Sequence, residues 1–309
     1  MARKKRGTVG IIGLGIMGGA FARNLVAANW RVVGYDVAAD RRRAMKKAGV
    51  DVRSDAAEVT REAPTLILSL PSPRALSATV DAIVKAGVRR RVVIEASTFK
   101  LEDKMAAQAT LRKAGHVLLD CPVSGTGFQA EIKDLVVYAS GGSAEIKRLR
   151  PLFADFTRVV RDLGEFGNGS RIKYIANLLV AIHNVASAEA LVLGMKSGLP
   201  PELIYDEIRV GAGNSEVFRI RAPMMVKGRY DKPTMKVAIW KKDMEIIGSF
   251  AQSLGAPTPL FSATLPIYAA ARSTGYGMQD TASTCAVLES MAGIKRGKKA
   301  KRKRAASVR

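Results

Sequence analysis

Gly13-Leu14-Gly15-Ile16-Met17-Gly18 is a glycine hexad that directly follows an apolar run, Thr8 to Ile12, and directly precedes a segment able to form a helix. A G-x-G-x-x-G hexad in that setting can cradle the pyrophosphate of a dinucleotide. Gly13 permits the tight turn, Gly15 lets the backbone approach the anion, and Gly18 lets the helix pack on the strand. The helix's first N–H groups then face the phosphates. A second apolar run, Arg31 to Tyr35, ends on Asp36. There, about 20 residues on, a carboxylate can accept hydrogen bonds from the adenosine ribose hydroxyls and would repel a 2′-phosphate. NAD is therefore the expected cofactor. Arg41-Arg42-Arg43, just beyond, could neutralise such a phosphate and leaves NADP possible.

A second chemistry-bearing pair lies far downstream. Lys173 and Asn177 are four apart in the apolar stretch Ile172 to His183, so on a helix they share one face to within ~40°. A lysine on such a face loses hydration, which lowers its pKa toward a useful acid–base range. Lys173 is thus the candidate general acid/base. Metal chemistry has no comparable set: Cys121 and Cys285 are far apart, and His116 and His183 are too few for an imidazole cluster. Ser124 lacks a G-x-S-x-G elbow, which disfavours a hydrolase.

The elements that must position these residues alternate through the first half. Apolar runs at Thr65 to Leu70, Arg91 to Ile94, Val117 to Leu119 and Val136 to Ser140 are separated by helical stretches. That alternation predicts an α/β fold, an N-terminal doubly wound Rossmann-type parallel sheet. Ligands bind beyond the carboxyl ends of such strands, where Leu70, Pro71, Ser97, Thr98 and Ser124 fall. After Arg161 the pattern turns helical. Ile172 to Gly198 reads as one long buried helix, followed by helices over 202–211, 238–254, 260–274 and 281–292. The expected division is a basic tail at 1–6, a dinucleotide-binding domain at 7–165, an all-α C-terminal domain at 166–294, and a disordered basic tail at 295–309.

Charge and composition bound the function. The 309 residues are 48% apolar and 25% charged, with 50 Lys and Arg against 27 Asp and Glu. These values fit a globular protein and exclude low-complexity and collagen-like classes. More than half of the +23 excess sits at the two ends, since Lys295 to Arg309 holds nine basic residues and Arg3 to Arg6 four more. Such ends read first as solvated tails and second as a tether to nucleic acid. The basic N-terminus and the uncharged run from Gly7 to Ala22 mimic a signal peptide, but Gly10, Gly13, Gly15, Gly18 and Gly19 spoil it as a continuous apolar helix. No other uncharged apolar stretch reaches the ~20 residues a membrane span needs. A cytoplasmic protein without a membrane partner is expected.

Four motifs in fixed order carry a resemblance to the β-hydroxyacid dehydrogenases, the family of 3-hydroxyisobutyrate dehydrogenase and tartronate semialdehyde reductase. The opening hexad resembles the family's G-x-G-x-M-G, and Asp120-Cys121-Pro122-Val123-Ser124-Gly125 resembles its D-x-P-V-S-G. Gly167-Asn168-Gly169 leading to Lys173 and Asn177 resembles its catalytic segment, and Lys242-Asp243-Met244 its K-D-L. The resemblance covers Thr8 to about Gly293. It implies hydride transfer between NAD(H) and a small β-hydroxy acid or the matching semialdehyde or keto acid. It also implies that Lys173 is the acid/base and that Asn177 orients substrate or lysine. Ser124 and Gly125 would hold the substrate carboxylate, with Thr126 bordering the pocket, and Thr98 and Lys242 would lie near the nicotinamide. Relatives that cover an apolar helix with a partner subunit imply a homodimer or homotetramer.

Departures from the pattern cluster at the substrate pocket. Ala176 replaces the first of two adjacent Asn, Thr126 replaces a Gly, and Asp134 stands where a Gly is common. Two further readings of the same fold are a non-enzymatic cofactor-binding module tethered by its basic ends and an imine reductase. Lys173 counts against both, because a module has no need of it and imine reductases generally carry Asp or Tyr there.

Overall fold

A computed structural model describes residues 6–296; most of the two expected tails, residues 1–5 and 297–309, lies outside the described residues. The chain divides into two compact units, one of residues up to Leu179 together with Lys242–Thr258, the other of Val180–Lys241 together with Pro259 onward.

In the first unit β1 (Thr8–Ile12), α1 (Ile16–Ala27), β2 (Arg31–Tyr35), α2 (Ala39–Lys47), β3 (Asp51–Val52), α3 (Ala56–Glu62), β4 (Thr65–Leu68), α4 (Pro73–Lys85), β5 (Val92–Glu95), α5 (Leu101–Lys113) and β6 (Val117–Asp120) alternate. The six strands form one parallel sheet in the order β3-β2-β1-β4-β5-β6. This is the doubly wound arrangement the alternation predicts. Both faces are covered, so the strands are apolar on both sides. Val9 and Ile11 pack toward Phe21, Leu25, Phe153 and Phe156. Ile12, Leu66 and Leu68 pack toward Leu76, Val80, Ile83 and Leu111.

The sheet ends sooner than the sequence pattern suggests. β7 (Val123–Ser124), α6 (Gly127–Glu131), β8 (Val136–Ala139), α7 (Ser143–Ala154) and β9 (Val159–Asp162) follow, and β7, β8 and β9 form a separate three-stranded sheet. β7 runs antiparallel to β8, and an isolated Asp120–Ser140 bridge joins the two sheets. The sequence pattern places the run Val136 to Ser140 in the main parallel sheet, whereas the structure puts β8 in the second one. Two buried strands look alike in sequence, and the reversal at Pro122-Val123 assigns this one elsewhere.

From here the described residues are helical: α8 (Asn168–Lys196), α9 (Pro201–Ile208), α10 (Glu216–Lys227), α11 (Val237–Ser253), α12 (Pro259–Ala271) and α13 (Thr284–Met291). The sequence pattern gives no helix at α10 because Pro223 interrupts it. The second unit's core gathers Leu191, Ile204, Phe218, Met225, Tyr230 and Cys285.

Two expectations need correction. α8 is not buried all round: Ile172, Ile175, Leu179 and Leu193 are 38%, 53%, 47% and 73% exposed on one stripe. By length and composition alone α8 could cross a membrane, with a mean hydropathy of 1.7 over its most apolar 18 residues. Its buried face instead carries hydrogen-bonded polar groups, such as Asn184, which donates to Tyr268 and Thr284. The second correction concerns Arg296, counted with the tail. Its guanidinium pairs with Glu289 and donates to the Met225 and Val226 carbonyls.

Candidate active site

The strand order reverses between β1 and β4, which opens a crevice beyond their carboxyl ends. A cleft of about 330 Å³ lies there, lined among others by Gly13, Asp36, Arg41, Ser69, Leu70 and Pro71. At Gly18 a Cβ would sit 1.9 Å from the Gly13 carbonyl oxygen, so only glycine lets α1 start this close to the turn. Gly15 differs. A Cβ there would meet only the tip of the flexible Arg41 side chain, at 3.1 Å, so the protein's own packing leaves room over this backbone. α1 also has no side-chain cap, which leaves its first N–H groups for an anion. These features fit a dinucleotide pyrophosphate. Ile16 is 70% exposed at the same mouth, and Met17 packs partly buried against the core below.

Asp36 is buried and already engaged. Its Oδ2 accepts from Leu14 N at 2.7 Å, its Oδ1 accepts from Ala38 N at 2.8 Å, and Arg41 stands 3.6 Å away. The carboxylate therefore ties the glycine loop to the end of β2 besides facing the cleft. On the far side Leu70 N donates to Ser97 Oγ at 2.8 Å.

The segment Asp120 to Gly125 leads into a helix that folds beside this loop. Ser124 ends β7, Gly125 follows, and Thr126 caps α6 in a reciprocal box: Gln129 N faces Thr126 Oγ1 at 3.5 Å and Gln129 Oε1 accepts from Thr126 N at 3.0 Å. The cap explains the departure from glycine at 126. α6 packs against the start of α1, where a Cβ on Gly127 would lie 2.5 Å from Ile16 Cγ2. Lys133, one position before Asp134, is a non-glycine residue with left-handed backbone, φ 60°. Asp134 accepts instead from Gln129 and Arg158.

The helices that carry Lys173, Asn177 and Lys242 are tied to residues 97–99. Three successive carbonyls there are each taken by a different helix: Ser97 O accepts from Lys104 on α5, Thr98 O from Lys242 on α11, and Phe99 O from Tyr174 on α8. Lys242 also lies over the Phe99 ring at 5.5 Å and 3.1 Å from Asp243 Oδ1. Asn177 is buried and donates to Asp243 Oδ2 at 3.3 Å. Lys173 belongs electrostatically to this group. Burial pushes its pKa down to about 8, with the Lys242 charge adding to the fall and Asp243 opposing it. Asp243 carries no role of its own in the sequence pattern beyond its place in the Lys242-Asp243-Met244 motif; the structure shows it as the partner of Asn177 and Lys242.

A doubly wound sheet with an open helix N-terminus at its switch point and a carboxylate at the end of β2 form a dinucleotide-binding site, and a desolvated lysine lies in the electrostatic reach of Lys242 and Asp243. Known proteins agree. Residues 8–164 match the family described as the NAD binding domain of 6-phosphogluconate dehydrogenase, and residues 167–288 match the NAD-binding family of NADP-dependent 3-hydroxyisobutyrate dehydrogenase. The chain is 31% identical over 293 residues to an L-threonate dehydrogenase of Escherichia coli O6:H1, covering 93% of this chain and 95% of that protein. It is 28% identical over 268 residues to a probable 3-hydroxyisobutyrate dehydrogenase of Mycobacterium bovis, covering 85% and 91%. The solved 3-hydroxyisobutyrate dehydrogenase of Mycobacterium tuberculosis with L-serine superposes at a TM-score of 0.84 with 27% identity, covering 91% and 98%. The chain belongs to the β-hydroxyacid dehydrogenase family. It is an NAD(P)-dependent oxidoreductase acting on a small carboxylate substrate.

Proposed function

We propose that the enzyme oxidises a small 3-hydroxy acid with NAD, or reduces the corresponding carbonyl acid with NADH, and that Lys173 is its general acid/base. The observation that carries this reading is Lys173 itself, whose burial, with the nearby Lys242 charge and against the pull of Asp243, lowers its pKa to about 8. Both protonation states are then accessible near neutral pH. Neutral Lys173 takes the proton from the substrate hydroxyl; protonated Lys173 returns it to the carbonyl oxygen in reduction. Bound NAD supplies the hydride acceptor. Asn177 and Asp243 hold the lysine's surroundings, Ser124 and Gly125 receive the carboxylate, and Thr98 and Lys242 flank the reacting end. Asp36 supports NAD over NADP, because its buried carboxylate faces the adenosine side of the cleft.

L-threonate and 3-hydroxyisobutyrate, named by the relatives, share a carboxylate and a hydroxyl on the third carbon, and are the first substrates to try. The exposed apolar stripe of α8, Ile172, Ile175, Leu179 and Leu193, supports a homodimer or homotetramer that covers it. A cytoplasmic location fits this metabolic role. The test is a panel of L-threonate, 3-hydroxyisobutyrate, glycerate and 3-hydroxypropionate with NAD and with NADP, read by nicotinamide absorbance. Reduction of NAD with at least one acid is expected. Silence across the panel from protein that binds NAD contradicts the substrate class.

A further inference from the structure

Three ionisable side chains that the proposed chemistry does not use are fully buried together: Glu95, Lys104 and Asp120. Glu95 and Asp120 are the last residues of β5 and β6 and stand opposite each other in register. Their carboxylates therefore rise side by side at the carboxyl edge of the sheet. Lys104, from α5, lies between them. Its ammonium is 2.7 Å from Glu95 Oε2 and 2.7 Å from Asp120 Oδ1, and it donates to Ser97 O at 2.7 Å. Burial alone would strip its proton, but the two carboxylates outweigh burial and raise its pKa above the ordinary lysine value.

One cation between two carboxylates leaves one negative charge over, and α8 answers it. Asp120 Oδ2 accepts from Ser170 N at 2.7 Å, and Oδ1 accepts from Ser170 Oγ at 2.9 Å. Ser170 lies in the first turn of α8, where the helix dipole favours an anion. Lys173 follows three residues later, and Tyr174 is hooked to Phe99 O. On the other side Glu95 Oε1 accepts from Ser97 N at 2.9 Å. The network thus grips both α8, the helix that carries Lys173, and residues 97–99, to which Tyr174 of that helix is bonded.

We propose that Glu95, Lys104 and Asp120 form a positioning network that sets Lys173 against residues 97–99. The proposal rests on Lys173 being the acid/base. A buried ionic triad is a poor device for stability alone, because well-packed apolar residues of similar volume do as well or better. Directed hydrogen bonds between three separate elements are what apolar packing cannot supply.

Lys104→Met alone would leave two facing carboxylates without a cation and risks unfolding. The informative variant is the double Glu95→Gln/Lys104→Met, which removes one charge of each sign and keeps Asp120 on Ser170. It should fold and bind NAD with a Kd within about twofold of wild type, since the Asp36 end of the cleft is untouched, while kcat falls at least about tenfold. Ser170→Ala keeps all three charges and removes one hydrogen bond to Asp120; its kcat should fall about fivefold at unchanged NAD affinity. Ser170→Ala decides the matter if the double variant does not fold. A kcat within twofold of wild type in the folded variants overturns the network. Lys173→Ala runs beside them: if it alone is inactive, the network fails and the acid/base stands, whereas an active Lys173→Ala overturns the reading on which the network rests.

Discussion

Replacing Lys173 by Met should stabilise the protein near neutral pH while removing its activity. The lysine's pKa is lowered from 10.5 to about 8 by burial, with Lys242 adding to the fall and Asp243 opposing it. At pH 7 the lysine is protonated in both folded and unfolded chains, so the folded state carries the whole cost of holding that charge out of water. A shift of this size corresponds to about 3 kcal/mol at most, and partial access of water to the half-buried side chain reduces it to roughly 1–3 kcal/mol. The sign follows from proton counting. Between about pH 8 and pH 10.5 the unfolded chain binds more protons at this position than the folded one, so wild-type stability gains with rising pH. Lys173→Met lacks that gain. Its Tm should exceed that of wild type by a few degrees at pH 7, and the difference should close as the pH approaches 10.5. Urea unfolding of both proteins from pH 7 to 10.5 gives the comparison, and titrations elsewhere cancel in the difference. A variant less stable than wild type at pH 7, or a difference that does not change with pH, would refute the claim that the lysine is held at an unfavourable charge.

Three other perturbations probe separate parts of the account. Oxidation kcat/KM should rise as the pH passes through about 8 and carbonyl reduction should fall above it, because the two directions need opposite protonation states of Lys173; parallel profiles would contradict this. Asp36→Ala should narrow the gap between NAD and NADP use and cost about 2 kcal/mol in urea unfolding, since Leu14 N and Ala38 N lose their acceptor. An unchanged cofactor ratio would mean that another group decides. Lys133→Gly should stabilise by about 0.5–1 kcal/mol by relieving a left-handed backbone at φ 60°, and a loss of stability would show that the Lys133 side chain makes up for its strain.

What the residues revealed follows from how local each signal is. The glycine hexad, Asp36 and the alternating strands are readable because turn, strand and helix N-terminus are neighbours in the chain. Helical spacing makes Lys173 and Asn177 legible, whereas Asp243 stands out only as part of the Lys242-Asp243-Met244 motif, and its contact with Asn177 is hidden because it comes from another helix, 66 residues away. Lys104 reads as a surface charge on α5, and only the strand order, which sets Glu95 beside Asp120, makes it a buried centre. The separate sheet of β7, β8 and β9 escaped for the same reason: a buried strand does not announce its partner. α10 carried usable signals in its Ser215 cap and the left-handed Gly228 that ends it, but Pro223 within the helix obscured them.

The central claim is that Lys173 moves the proton. Its most direct test is the turnover of Lys173→Ala beside wild type with NAD and the most active acid of the panel, together with NAD affinity by fluorescence. The account predicts at least a ~100-fold fall in kcat with NAD affinity unchanged. Turnover close to wild type from the same variant would contradict it.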